Sequence, residues 1–352
     1  MDLFNNLLGK PKQTAKELFQ LGVESRKQGD TDTALNYFNE ALKLDPYDPL
    51  IFVARGNVYF QTRNLEAAIE DFSQAVALEP DLGKAFEMRG RLYFLTKQFD
   101  KARADLEKAI VFEPNYPLAH YTYGLLMAAE EKLDKAYKSY SRTIEIDPSF
   151  ADTFYLRGTV LFRKRDFAEA AADFAKASEN RPDHWDAFAM RGLCYARQRN
   201  FDHAIVVYSR VIKQNPNYAK AYNFRGYARF RKGELESAFA DFEQAIGLKP
   251  EGYDYFATYA TRGEVYHELK RYPEALADFK KALELKPDYQ FALAGLAVTH
   301  HALGNKDEAN RHWQDLIKLD ARYADMNWLQ KELNWAGALV AEARKLVAEK
   351  PE

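Results

Sequence analysis

Apolar residues in this chain fall into stripes with helical spacing, each about 13 residues long, and two such stripes recur every 34 residues. In residues 49–82 the first stripe runs from about Leu50 to Thr62 and the second from about Leu65 to Leu78, with a short polar turn between them. Such a turn predicts antiparallel neighbouring helices, A and B. Small residues mark the period. Gly22, Gly56, Gly90, Gly124, Gly158, Gly192 and Gly226 stand 34 apart, Gly263 follows 37 later, and Ala297 takes the ninth place. Ala34, Ala68, Ala102, Ala136, Ala170, Ala204, Ala238, Ala275 and Ala309 repeat in step with them. Pro46, Pro80, Pro114, Pro148, Pro182, Pro216, Pro250 and Pro287 close eight units, and Ala321 stands in the ninth. A proline there ends helix B, because it lacks the amide hydrogen and clashes with the preceding turn.

One helix pair of this size buries too little surface to fold alone, so the units must stack. Gly56 is expected opposite Ala68, where small side chains let the two axes approach, with Tyr59 and Phe72 filling the space around the contact. Counted within each unit, the small residues lie at the eighth and twentieth places and the closing proline at the thirty-second. In this the sequence resembles the tetratricopeptide repeat, and its Arg-Gly form resembles bacterial members of that family. The resemblance implies an all-α, right-handed superhelical solenoid. Nine units are expected, at 15–48, 49–82, 83–116, 117–150, 151–184, 185–218, 219–252, 256–289 and 290–323, with a three-residue insertion at 253–255.

Composition narrows the function. Fifty basic and 52 acidic residues leave a net charge of −2, which argues against a polybasic nucleic-acid surface. No apolar run is long enough for a membrane span. The start, MDLFNNLLGKPK, lacks the basic-then-apolar order of a secretory signal, and Cys194 is the only cysteine, which fits a reducing cytoplasm.

Several segments depart from the period. Residues 1–14 precede the first unit; Leu3, Phe4, Leu7 and Leu8 suggest a short amphipathic turn stopped by Gly9 and Pro11, read as a cap or tail, with a membrane or partner anchor as the alternative. The fourth unit has Tyr123 in place of arginine and Thr143 in place of alanine. The slip near 253–255 reads as a bend or longer loop, with Asp254 able to cap a longer helix A; a partner-specific aromatic patch is the other reading. Residues 324–352 read as a capping helix pair, MNWLQKELNW and AGALVAEARKLVAEK, with Trp328 and Trp335 as packing anchors.

One constellation is peculiar to this chain. Arginine stands at the seventh place in six units, and aspartate at the twenty-third in five of those six. The expected ion pairs are Arg55–Asp71, Arg89–Asp105, Arg157–Asp173, Arg225–Asp241 and Arg262–Asp278; the Arg191 unit carries Val207 instead. An arginine fork suits two parallel bonds to a carboxylate. Solvated faces are the alternative for both residue types.

The resemblance also implies that helix A lines a concave groove. Its inward places are occupied by Asn57, Phe60, Arg91, Phe94, Tyr121, Tyr155, Phe162, Arg163, Arg197, Asn223, Phe224, Tyr227, Phe230 and Arg231. Arg163, Arg197 and Arg231 are 34 apart and read as a ladder beside a row of phenylalanines. These side chains often anchor interfaces, and they suit a protein or peptide partner with acidic and apolar residues. Packing against the next unit is the alternative for the phenylalanines. Chaperone-tail binders of the family share a lysine–asparagine clamp. Here Val53 and Asn57, or Asn223 and Tyr227, stand where its first pair belongs, and Met88 and Phe224 follow Lys84 and Lys220 where arginine belongs. That argues against capture of a chaperone carboxylate. No P-loop, dinucleotide fingerprint, HExxH or nucleophile elbow occurs. His300, His301 and His312 cluster in sequence without an evident further ligand, and no metal or cofactor is expected. The expected function is a non-catalytic scaffold or adaptor that holds its partner in the groove. A regulatory or assembly subunit acting through its convex face or cap, and a single-stranded nucleic-acid binder, are the alternatives.

Overall fold

The computed structural model describes residues 13–249, 253–325, 328 and 337–348. The amphipathic turn at Leu3–Leu8 and the anchor Trp335 lie outside the described residues. The chain divides into two compact units, Met1–Arg165 and Asp166–Glu352. The first holds α1 (Ala15–Lys27), α2 (Thr31–Leu44), α3 (Pro49–Gln61), α4 (Leu65–Leu78), α5 (Gly83–Leu95), α6 (Phe99–Phe112), α7 (Pro117–Ala129), α8 (Leu133–Ile146) and α9 (Ala151–Arg163). The second holds α10 (Phe167–Asn180), α11 (Trp185–Arg197), α12 (Phe201–Gln214), α13 (Ala219–Arg231), α14 (Leu235–Gly247), α15 (Tyr253–Glu268), α16 (Tyr272–Leu285), α17 (Gln290–Ala302) and α18 (Lys306–Leu319). A 3-10 turn at Ala321–Ala324 and α19 (Gly337–Ala348) follow. No strand occurs among the described residues.

Within each unit a helix packs on its neighbour in sequence, and helices A also touch one another, as α5 touches α7 and α13 touches α15. This is the helix-pair repeat architecture of an α-solenoid. The turn inside every repeat is built the same way. Its fifteenth residue is left-handed in all nine, from Gly29 through Arg63, Lys97, Glu131, Arg165, Arg199, Gly233 and Lys270 to Gly304. The next amide then reaches back five residues, as from Asn64 to the carbonyl of Tyr59 at 2.8 Å, which closes the end of helix A. Three repeats use glycine at that place, where no Cβ opposes a positive φ.

Around the eighth-place glycines the contact differs from the sequence expectation. A Cβ on Gly56 would lie 3.0 Å from the Phe72 ring and 3.2 Å from Cβ of Asp71, so the ring is what such a side chain would meet first. Side chains on a helix lean toward its N-terminus, so the Phe72 ring reaches back to the level of Ala68. The same arrangement sets Gly124 under Tyr140 and Gly192 under Tyr208, where a Cβ would come within 2.5 Å of each ring. Both of these rings are buried, and their hydroxyls have no hydrogen-bond partner. Burial pushes the Tyr208 hydroxyl well above the usual phenol range. A buried, unpaired hydroxyl costs stability that a phenyl group would not. Tyr140→Phe and Tyr208→Phe are therefore expected to stabilise the protein by about 1 kcal/mol each, read as a raised denaturation midpoint. A lowered midpoint would mean that each hydroxyl has a partner after all.

The three inserted residues, 253–255, form the start of α15. α15 runs 16 residues, where α13 runs 13. Continuing the helix gives each added residue its hydrogen bonds at little entropic cost, which a loop would not.

Candidate functional site on the helix A face

Four of the five expected ion pairs lie within one unit, and all four are formed. Arg55 donates from Nε and Nη2 to the two Asp71 oxygens at 2.9 and 2.7 Å. Arg89 meets Asp105 at 2.7 and 2.8 Å, Arg225 meets Asp241 at 2.9 and 2.7 Å, and Arg262 meets Asp278 at 2.7 and 2.9 Å. Arg157 belongs to the first unit and Asp173 to the second. Each aspartate is buried and each arginine only partly so. Burial drives Asp71 above its ordinary value against the pull of Arg55, so such a pair specifies geometry more than it adds net stability.

The arginines also make a bond that sequence reasoning missed. Nη1 of Arg55 donates to Asn39 at 2.7 Å, and those of Arg89, Arg157 and Arg225 donate to the hydroxyls of Ser73, Ser141 and Ser209 at 3.1, 3.2 and 3.1 Å. Each acceptor lies on helix B of the preceding repeat, so one guanidinium fastens two repeats. Where Tyr123 replaces arginine, its hydroxyl donates instead to Glu107 at that same place, at 3.1 Å. Arg191 faces a repeat with Ala175 there and Val207 for its own aspartate, and it lies over the Tyr195 ring, 5.8 Å from its centre. A serine or asparagine 16 residues before the arginine was the available signal.

With those arginines engaged, the remaining helix A side chains sort by unit. In the first unit Arg91 lies over Phe60, 5.0 Å from the ring centre. Beneath Arg91 is Glu87, fully buried, 3.7 Å from its Nε and accepting a 2.8 Å bond from Thr122 Oγ1. Burial raises Glu87 above the usual carboxylate range despite the nearby arginine. Sequence reasoning passed over it, although a charge at this place stands out against Val53, Tyr121 and Ala189 in other copies. Phe94 packs on Phe99, and Tyr121 on Tyr140 and Phe150. Arg163 pairs with Glu131. Asn57, Tyr155 and Phe162 are half-buried on α3 and α9.

In the second unit α11, α12, α13 and α15 enclose a pocket of about 300 Å³. Four expected residues line it: Arg197, Phe224, Tyr227 and Arg231. Leu193, Ala196, Arg199, Phe201, Thr261 and Glu264 complete it. Arg231 lies over the Phe201 ring at 5.6 Å and donates from Nη1 to the Tyr227 hydroxyl at 3.2 Å. Burial works against the Arg231 charge, but the tyrosine and the nearby Glu264 and Glu268 outweigh it and hold the guanidinium above its ordinary value. Asn223 and Phe230, also expected on the groove, are instead buried, at 4% and 8% exposure. The twelfth-place ring of Phe230 joins Phe242 and Val265 in the core, because the next helix A, α15, packs over it. Of the residues expected on α13, Phe224, Tyr227 and Arg231 are the ones that line the pocket.

Two family models described as Tetratricopeptide repeat match residues 19–83, 53–117, 155–210 and 197–253, and residues 256–289, together more than half of the chain. The chain belongs to the tetratricopeptide-repeat family. The unmatched stretch after residue 117 holds the fourth repeat, where Tyr123 replaces the arginine. Among solved structures, a tetratricopeptide-repeat protein from Pseudomonas aeruginosa, PilF, aligns with a TM-score of 0.53 at 15% identity, over 60% of this chain and 96% of its own, and shows the same fold. MamA aligns with a TM-score of 0.43 at 28% identity over 47% of this chain and 97% of its own. YrrB, described as a TPR protein with an unusual peptide-binding site, aligns with a TM-score of 0.48 at 23% identity over 52% and 95%. No curated protein matches the sequence. Tetratricopeptide repeats are protein-interaction scaffolds, and no catalytic family is indicated. No described helix is long and apolar enough to cross a membrane. Among the described residues no cluster of three ligating side chains is placed to hold a metal ion; His300 and His312 stack on each other at 5.8 Å.

Proposed function

We propose that this chain is a non-catalytic adaptor that holds a peptide segment or partner protein on its helix A face, anchored in the second-unit pocket. The pocket itself carries the reading: aromatic walls for one apolar side chain, with Arg197 and Arg231 on the rim for a carboxylate. Buried Glu264 lines the same pocket near Arg231 and repels a second carboxylate there, so the pocket suits a segment with one acidic residue beside an apolar one. Cytoplasmic placement belongs to the same reading and is supported by the single cysteine, Cys194, whose buried thiol is pushed up to about 12 and is a core residue, not a nucleophile.

The test is a double substitution, Arg197→Glu with Arg231→Glu, in the full chain, with partner recovery from lysate compared at two salt concentrations. Recovery is expected to fall at least tenfold, and wild-type recovery to weaken with salt. A partner retained by the variant would move the site to the outer face or the C-terminal helix. Recovery abolished by nuclease would point to nucleic acid.

A further inference from the structure

The last helix does not sit where a tenth repeat would. A following helix A packs mainly on the helix B before it, as α13 does on α12. α19 packs instead on α17 and α15, the helices A of repeats nine and eight. Beside α18 stands Tyr323, its ring 6.2 Å from that of Trp313, and the Trp328 ring lies 5.0 Å from Tyr323. Of the expected C-terminal capping pair, the described second helix, α19, lies on the helix A face of α15 and α17; most of the first lies outside the described residues.

That face is where ligands are proposed to bind. Among the inward places of the last two repeats, Ala257, Ala260, Glu264 and His267, then Ala294 and Val298, are buried, while Thr261, Glu268, Phe291, His301 and Ala302 are half-buried. Nine consecutive residues of α17, Ala292–His300, are buried, as in no other described helix A. The covering side of α19 is one stripe: Leu339, Ala343 and Leu346, spaced i, i+4 and i+7, join the apolar cluster with Ala294 and Val298. Within that stripe stands one carboxylate. Glu342 Oε1 lies 2.6 Å from Nδ1 of His301, the side chains 14% and 7% exposed. Ala341, Arg344 and Lys345 face solvent.

This is an amphipathic helix laid in a groove, an arrangement also seen between separate chains. We propose that the helix A face of α15 and α17 is a helix-binding site held closed by the chain's own α19. A partner entering it presents a short helix with apolar residues at i, i+4 and i+7 and an acidic residue at i+3 to meet His301, and it exchanges with α19. The proposal rests on the adaptor reading, and its stretch of the face adjoins the Arg197–Arg231 pocket, which shares Glu264 of α15; Ala294, Val298 and His301, which meet α19, lie outside that pocket. α19 has the advantage of tethering, so exchange needs a partner present at high local concentration or one with more contacts.

A labelled synthetic peptide of residues 337–348 tests this on full-length protein. Ala343→Asp puts a charge in the stripe and should evict α19. The peptide is expected to bind that variant at least tenfold more tightly than wild type, and the same peptide with Glu342→Lys at least tenfold more weakly. Equal binding to both chains, or indifference to Glu342→Lys, would overturn the proposal. Hydrogen exchange on the wild-type chain guards against simple unfolding of the variant. Amides of α19 are expected to exchange well before those of α17; exchange of both together would mean that α19 is a fixed part of the core. The Arg197→Glu, Arg231→Glu chain should still exchange its helix for the peptide when Ala343→Asp is added, so failure of the pocket reading and failure of this one give different results.

Discussion

Asp241→Ala is expected to destabilise the second unit by about 3–5 kcal/mol. Asp241 is 3% exposed and serves two cations. Arg225 holds it with the two-bond fork, and Arg229 Nη1 donates to Oδ2 at 2.8 Å. Alanine would leave both guanidinium groups beside an emptied, largely buried site, and the cost is that of stranded charge more than of lost attraction. Asp241→Asn should fall in between, since the amide keeps one acceptor and loses the charge. Replacing Arg225, Arg229 and Asp241 together by leucine or methionine should recover most of the loss, because the pair itself returns little beyond its desolvation. Chemical denaturation followed by helical signal measures all three. A loss below about 1 kcal/mol for Asp241→Ala would show that water reaches the arginines and screens them.

Acidification is expected to weaken the fold between about pH 6.5 and pH 4. His267 is buried, its Nδ1 2.9 Å from Thr299 Oγ1, and burial lowers its pKa to about 4. Below pH 6.5 the unfolded chain takes up a proton that the native chain refuses, so stability is complete above that value and falls as the pH drops toward 4. The full loss is roughly 3 kcal/mol. Burial also lowers His120, His300 and His312, which adds to the trend, while the Glu342 carboxylate near His267 works against it. Glu87 has the opposite sign: raised by burial, it costs stability at neutral pH and relaxes on acidification. His267→Gln should therefore flatten the slope between pH 6.5 and 4 in a melting-temperature series. An unchanged slope would place the acid sensitivity elsewhere.

The repeat was legible because a 34-residue period writes the same contact nine times, and the ion pairs because copies within one chain vary together. What escaped follows from how side chains reach out of a helix. Spacing places Gly56 opposite Ala68, yet the lean of helix B brings the Phe72 ring there first. Asn223 and Phe230 occupy groove places by number, but the neighbouring helix A closes over them. Nothing within their own repeats marks Ser73, Ser141 and Ser209, because their partner is an arginine of the following repeat. The amphipathic pattern of Gly337–Ala348 showed that it must lie on something, but an apolar stripe cannot say on which face.

The serine-to-arginine bond bears on how such a chain can grow. Asn39, Arg55 and Asp71 are 16 residues apart in turn, so one complete set spans less than a period. A cassette cut within helix B, just before the serine, carries donor and both acceptors with it and can be duplicated or deleted without orphaning a charge. A cassette cut at the loop that precedes helix A divides every set, leaving an arginine at one new junction to find whatever its new neighbour offers. Copy number can therefore change across the first kind of seam with every arginine still partnered, while the second kind leaves mismatched junctions.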